Sequence, residues 1–228
     1  GVAVATAAQA LGIAAEIFVP EIAGPAKRAR IASLGARLVV GGATYDDARL
    51  ASEARAAATG ARLIHAYDQP ATLAGQGTLA PEIEDQAPGL THLLVAVGGG
   101  GLIGGIAAWG GITRLVAVEP EACPALHLAL AAGRPVPGPV GGIAADSLGA
   151  RQIGGLGLAA VQAQGVQSLL VPDSAITEAR RRLWEACRLA VEPGGATALA
   201  ALVCGAFQPP AGARVGVLVC GANTDTLV

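Results

Sequence analysis

An α/β fold of parallel strands flanked by helices is what this chain of 228 residues predicts. Three observations carry that expectation. Apolar runs of strand length alternate with stretches of helical composition along nearly the whole sequence. The strand expected over Leu90 to Val97 ends in consecutive apolar residues with no polar alternation, as in a strand covered on both faces. That strand then runs directly into Gly98-Gly99-Gly100-Gly101 and a helix start, the strand–loop–helix junction of a ligand-binding α/β sheet.

Taken in order, the chain opens inside an apolar helix over Gly1 to Leu11. Ala15 to Val19 reads as a strand ending at Pro20. Pro25 to Leu34 reads as a helix stopped by Gly35, and Arg37 to Val40 as the next strand. Thr44 is the expected N-cap of a helix over Tyr45 to Thr59, with Gly60 as its stop. Arg62 to His65 reads as a short strand, and Asp68 as the cap of a helix reaching about Asp85. After the glycine loop comes a short helix broken by Gly110-Gly111, then a strand over Leu115 to Val118. Cys123 to Ala132 is expected to be helical and Gly133 to Gly142, rich in Gly and Pro, to be a loop. Gln167 to Val171 reads as a strand and Asp173 to Leu189 as a helix. Thr197 to Gly205 reads as a helix and Val215 to Val219 as a final buried strand.

Composition excludes several classes. Apolar residues make up 53% and charged residues 14%, enough for a large core and unlike a disordered chain. A net charge of −2 leaves no nucleic-acid footprint, and the one dense cationic run, Arg180 to Arg182, reads as a solvated helix face. Leu93 to Ile112 is uncharged, but eight of its residues are glycine in runs that would break a lipid-exposed helix, so no membrane span is expected. Cys123, Cys187, Cys204 and Cys220 form no Cys-x-x-Cys pair; they read as reduced, and the compartment as cytoplasmic. The chain contains no Met and starts inside a helix, so it reads as a fragment or a processed piece, without the charged start of a signal peptide.

The chemistry is expected just past the strand ends, at Tyr67 and Asp68, Gly98 to Gly101, Glu119, and Cys220 to Asn223. Bare backbone at a helix start presents several N–H groups to one point, and the helix end adds about half a positive charge. A phosphate is the natural occupant. Gly99-x-Gly101-x-x-Gly104 also matches the dinucleotide fingerprint, and Glu119 ends the next strand where an acid gripping a ribose would stand. A nicotinamide-dependent oxidoreductase is therefore a competing reading. Val217 to Asp225 ends a strand at Cys220 in a polar turn; residue type alone allows a buried structural cysteine or a group meeting a heteroatom of a flat ligand. His92 and His127 read as structural, while His65 lies nearer the expected site. No catalytic-triad order and no carboxylate cluster stands out.

Five segments in order then carry a resemblance. They are Ala15 to Pro20 with Lys27 and Leu34-Gly35-Ala36; His65 to Pro70 with Ala74 to Thr78; Val97 to Leu102; Ala145 to Gly149 with Glu192 to Ala196; and Cys220 to Asn223. Together they resemble the serine/threonine dehydratase group of fold-type II pyridoxal-phosphate enzymes, which also includes serine racemases. The likeness spans nearly the whole chain.

The resemblance implies a tryptophan synthase β-like architecture of two domains with the first part missing. Residues 1–65 would be the remainder of the small N-terminal domain and 66–228 the large cofactor-binding domain. It implies that Gly98, Gly99, Gly100, Gly101 and Leu102 donate amides to the phosphate of pyridoxal 5′-phosphate. Cys220 would meet the pyridine nitrogen, Tyr67 would lie beside the ring and Glu192 near its edge. The family's Schiff-base lysine would lie upstream of Gly1. The only lysine here, Lys27, matches a non-catalytic position, so this chain supplies no catalytic residue and is expected to be inactive alone. Glu119 matches a metal ligand of racemases, but Ala125 stands where a second acid is expected, and no metal is assigned. The parent would convert a hydroxy amino acid to a 2-oxo acid and ammonia, with racemases and other fold-type II lyases as the alternative. An amino-acid substrate and a homodimer are implied as partners.

Overall fold

The computed structural model describes residues 1–111 and 114–224. Ile112 and Asp225, each at the end of a segment quoted above, lie outside them. The chain divides into two compact units, Gly1–His65 and Ala66–Val228.

The first unit runs α1 (Val2–Leu11), β1 (Glu16–Val19), α2 (Pro25–Ser33), β2 (Arg37–Val40) and α3 (Tyr45–Thr59). β1 and β2 pair in parallel, Glu16 opposite Arg37 and Val19 opposite Val40. Ala5, Ile17, Val19, Ala23, Ile31 and Leu34 form its core, so α1 and α2 bury their apolar stripes against β1. The expected cap of α3 is present as a reciprocal pair: Thr44 Oγ1 accepts from the Asp47 amide, and Asp47 accepts from the Thr44 amide. Gly60 closes that helix in the left-handed conformation at φ 71°. Arg62 to His65 forms no strand, contrary to expectation. A short extended stretch becomes a strand only where a neighbouring ladder takes its backbone groups, and β1 and β2 pair with each other.

The second unit contains α4 (Pro70–Gly77), α5 (Leu79–Gln86), β3 (His92–Ala96), α6 (Gly101–Trp109), β4 (Arg114–Pro120), α7 (Ala125–Ala132), α8 (Ala145–Leu148), α9 (Gly155–Ala163), β5 (Gln167–Val171), α10 (Asp173–Cys187), α11 (Pro193–Val203) and β6 (Val215–Val217). Its strands lie in the order β5-β4-β3-β6, all parallel. Alternate side chains of the central strands feed two cores. Leu94, Ala96, Val116 and Val118 pack with Ile176, Ala179, Ala198 and Ala201 of α10 and α11. Leu93, Val95, Val97 and Ala117 pack with Ile103, Leu126, Leu158 and Val161 of α6, α7 and α9. Burial on both faces accounts for the uninterrupted apolar run in β3.

Several elements of this unit differ from expectation. The final strand, expected buried over Val215 to Val219, stops at Val217 and is half-buried, as an edge strand paired only with β3. The helix expected through Asp85 is two helices meeting at Thr78, with Gln69 at the start of α4. Asp68 caps α9 instead: its carboxylate accepts from the amides of Gly155 at 3.1 Å and Leu156 at 3.0 Å. The sequence reading assigns no element over α9; its glycine-punctuated start carries no local cap, and Asp68 supplies one from far away in sequence. α11 starts at Pro193, whose missing N–H costs nothing at a first helical position, rather than at Thr197. Among the described residues no helix is long and apolar enough to cross a membrane.

Candidate functional site

β3 ends at Ala96, and the amide of Val97 still bonds to the Val118 carbonyl at 3.0 Å. From Gly98 the backbone leaves the ladder. Gly100 turns it at φ 86° and ψ 0°, a conformation costly for any residue with a Cβ, and α6 begins at Gly101. The first bond of that helix is Gly104 N–H to the Gly100 carbonyl at 2.9 Å. Among the described residues none accepts from the amides of Gly98, Gly99, Gly100, Gly101 or Leu102. Five consecutive donors are thus left open at the positive end of a helix dipole.

The walls of this loop explain why each position is glycine. A Cβ on Gly98 would sit 3.0 Å from the Leu148 backbone, and one on Gly100 2.5 Å from Ile153 Cδ1. On Gly99 it would run into the Tyr67 ring, and on Gly101 it would lie 2.9 Å from Tyr67 Cα. Tyr67 therefore packs directly against the loop, while its hydroxyl donates to the Gln152 carbonyl at 3.4 Å. The neighbours nearest these four glycines are Tyr67, Leu148, Ile153 and Gly157, none of them acidic.

Cys220 and Glu192 meet around Gly221. The Glu192 amide donates to the Gly221 carbonyl at 3.1 Å, and a Cβ on Gly221 would overlap the Glu192 carboxylate. Cys220 is exposed as a residue, yet its thiol is hemmed in by protein. Burial, then the neighbouring Glu192 charge, pushes that thiol above the usual cysteine pKa, so it stays protonated at neutral pH. Ser147 and Leu148 are the residues that sequence reasoning left without a role. Leu148 lies between the loop at Gly98 and the start of α11 at Gly194, and the only advance signal was the position of Ala145 to Gly149 among the ordered segments.

Glu119 does not stand where a ribose could reach it. It is 0% exposed, and its oxygens accept from the amides of Leu126 at 2.7 Å and His127 at 2.8 Å, capping α7. Burial raises its pKa to about 7. His127 Nδ1 lies 3.1 Å from Ser168 Oγ, and the His92 ring packs on Phe207, so both histidines serve the frame. The dinucleotide-type match of Gly99 to Gly104 thus lacks its acid.

Residues 1–221 match the family described as "Pyridoxal-phosphate dependent enzyme". The chain belongs to that family. As a pyridoxal-phosphate-dependent enzyme it is similar to the L-threonine ammonia-lyase of Geobacter sulfurreducens, 34% identical over 97% of this chain and 56% of that protein. It is also similar to the phenylserine dehydratase of Ralstonia pickettii, 36% identical over 98% of this chain and 70% of that one. The chain therefore spans little more than half the length of the threonine ammonia-lyase. Among solved structures, maize serine racemase superposes with a TM-score of 0.91 at 32% identity, over 98% of this chain and 70% of that one. The fold is that of the fold-type II enzymes, and the cofactor of the family is pyridoxal 5′-phosphate. The loop fits that group: open amides at a helix N-terminus, with no acid among the glycines' nearest neighbours, suit a dianionic phosphate ester.

Proposed function

We propose that this chain is the cofactor-holding part of an ammonia-lyase that converts serine or threonine to a 2-oxo acid and ammonia by α,β-elimination. The observation that carries the reading is the run of five open amides at the tip of β3, in a chain of this family. The amides of Gly98, Gly99, Gly100, Gly101 and Leu102 would hold the phosphate, and Tyr67 backs the loop. When bound, pyridoxal phosphate supplies the electron sink that acidifies the substrate's α-hydrogen. Cys220 would meet the pyridine nitrogen as a neutral thiol, and Glu192 would lie near the ring. A thiol cannot keep that nitrogen protonated as a carboxylate would, and the weaker sink suits elimination more than transamination. Lys27, on α2, is assigned no covalent role. The same reading carries two domains, divided at about residue 65, in a homodimer, and a cytoplasmic setting in which the cysteines stay reduced.

Titration with pyridoxal phosphate and with pyridoxal, followed by visible absorbance, tests the cradle. Saturable binding of the phosphate ester, at least tenfold tighter than of pyridoxal, is expected; equal affinities would remove the phosphate role from the loop. Incubation of the full-length parent protein with L-serine and L-threonine tests the chemistry. A 2-oxo acid is the expected product, and D-serine in its place would mark a racemase.

A further inference from the structure

We propose that Ser147 is a positioning residue for this site: its hydroxyl caps α11 from outside and so leaves Glu192 held beside the Cys220–Gly221 turn. The inference rests on the cofactor reading above for its functional meaning, but its geometry stands apart from it.

Glu192 occupies the N-cap position of α11, yet its side chain makes no capping hydrogen bond. Its carboxylate lies against Gly221 instead. An N-terminal helix amide still needs an acceptor, and Ser147 Oγ provides it, accepting from the Gly194 amide at 3.1 Å. The same hydroxyl donates to the Ala144 carbonyl at 3.3 Å, so its rotor is set from both sides. The fit leaves little slack: a Cβ on Gly194 would sit 2.5 Å from that oxygen. The next residue ties the clamp to the phosphate loop, because Leu148 meets Gly98 with its backbone and Gly194 with its side chain. At the other end, the Glu192 amide holds the Gly221 carbonyl, and Gly195 packs on that same carbonyl. Ser147 and its neighbour Leu148 together thereby connect the loop proposed for the phosphate with the helix start that holds the turn proposed for the ring nitrogen.

Removing the hydroxyl orphans the Gly194 amide. The side chain nearest in sequence that can replace it is Glu192, at the N-cap, and taking that bond draws its charge away from Cys220. Alkylation of Cys220 by iodoacetamide, followed by peptide mass spectrometry across pH, reads this on the full chain without cofactor. Ser147→Ala is expected to move the midpoint of the Cys220 pH–rate profile down and to raise its rate at pH 8 at least threefold. Glu192→Gln should shift the midpoint similarly, the double variant should add nothing further, and Ser147→Thr should restore the original profile. A Ser147→Ala midpoint that stays in place overturns the proposal, as do fully additive shifts or an immobile profile in Glu192→Gln. Amide exchange on the unmodified chain gives a second reading that needs no variant. Gly194 should be protected, and free exchange there overturns the clamp even if the alanine chain does not fold. Neither readout involves pyridoxal phosphate, so a failure of cofactor binding would remove the proposed function and leave these results standing.

Discussion

Glu119 carries a cost that depends on pH. In the unfolded chain it titrates near 4.5, and in the fold its proton is retained to about 7. Below the ordinary carboxyl range both states are protonated, and the group contributes nothing to the slope. As pH rises from about 4.5 to 7 the unfolded state releases its proton first, so stability falls across that window and levels off above it. The total fall is about 3 kcal/mol at one pKa unit per ~1.4 kcal/mol. Denaturant unfolding at several pH values should show this slope, and Glu119→Gln should flatten it. The variant should lower stability by about 1–3 kcal/mol for the mispaired amide below about pH 4.5, and by little or nothing above about pH 7, where the wild type carries the buried charge. At Gly99 the relation is steric. Gly99→Ala should weaken pyridoxal-phosphate binding at least tenfold by driving the loop off the Tyr67 ring, and Tyr67→Ala should recover part of the loss, as binding titration of the double variant would show.

Single helices depend on contacts of very different reach. The cap of α3 is local, and Thr44→Ala should cost about 1 kcal/mol, measured as a shift in chemical unfolding of the first unit. The cap of α9 comes from Asp68, far away in sequence; Asp68→Ala orphans two amides and should cost about 1–2 kcal/mol, with faster amide exchange at Gly155 and Leu156. This difference in reach decides what can be read in the chain beforehand. The Thr44 cap, the Gly60 stop and the bare loop at Gly98 are written in neighbouring residues and are legible in the sequence. α9 is not, because Asp68 is needed to explain its start. Glu119 was located at the end of its strand, but the choice between facing solvent and capping α7 depends on where α7 packs. The role of Ser147 was hidden for the same reason: its partner, Gly194, belongs to another helix.

At the largest scale, the parallel sheet of the second unit brings together the loop and the final turn, which follow the paired strands β3 and β6, and the turn meets the start of α11 through the Glu192 amide, although these segments are far apart along the chain. Ligand stabilisation should follow mass action. At a hundredfold excess over its dissociation constant, pyridoxal phosphate should add about 2.7 kcal/mol to the unfolding free energy of the second unit. Hydrogen exchange at Gly98 to Leu102 should slow in the same titration, and unchanged exchange there would place the phosphate elsewhere.

The pairing of β3 with β6 also has a consequence for biogenesis. Leu94 is flanked by Val116 on one side and Val217 on the other. A nascent polypeptide paused on the ribosome short of Val215 would have completed its glycine turn, yet one edge of its central strand would stay bare and sticky. Slow maturation, reliance on chaperones and loss to inclusion bodies on C-terminal truncation follow from that late closure.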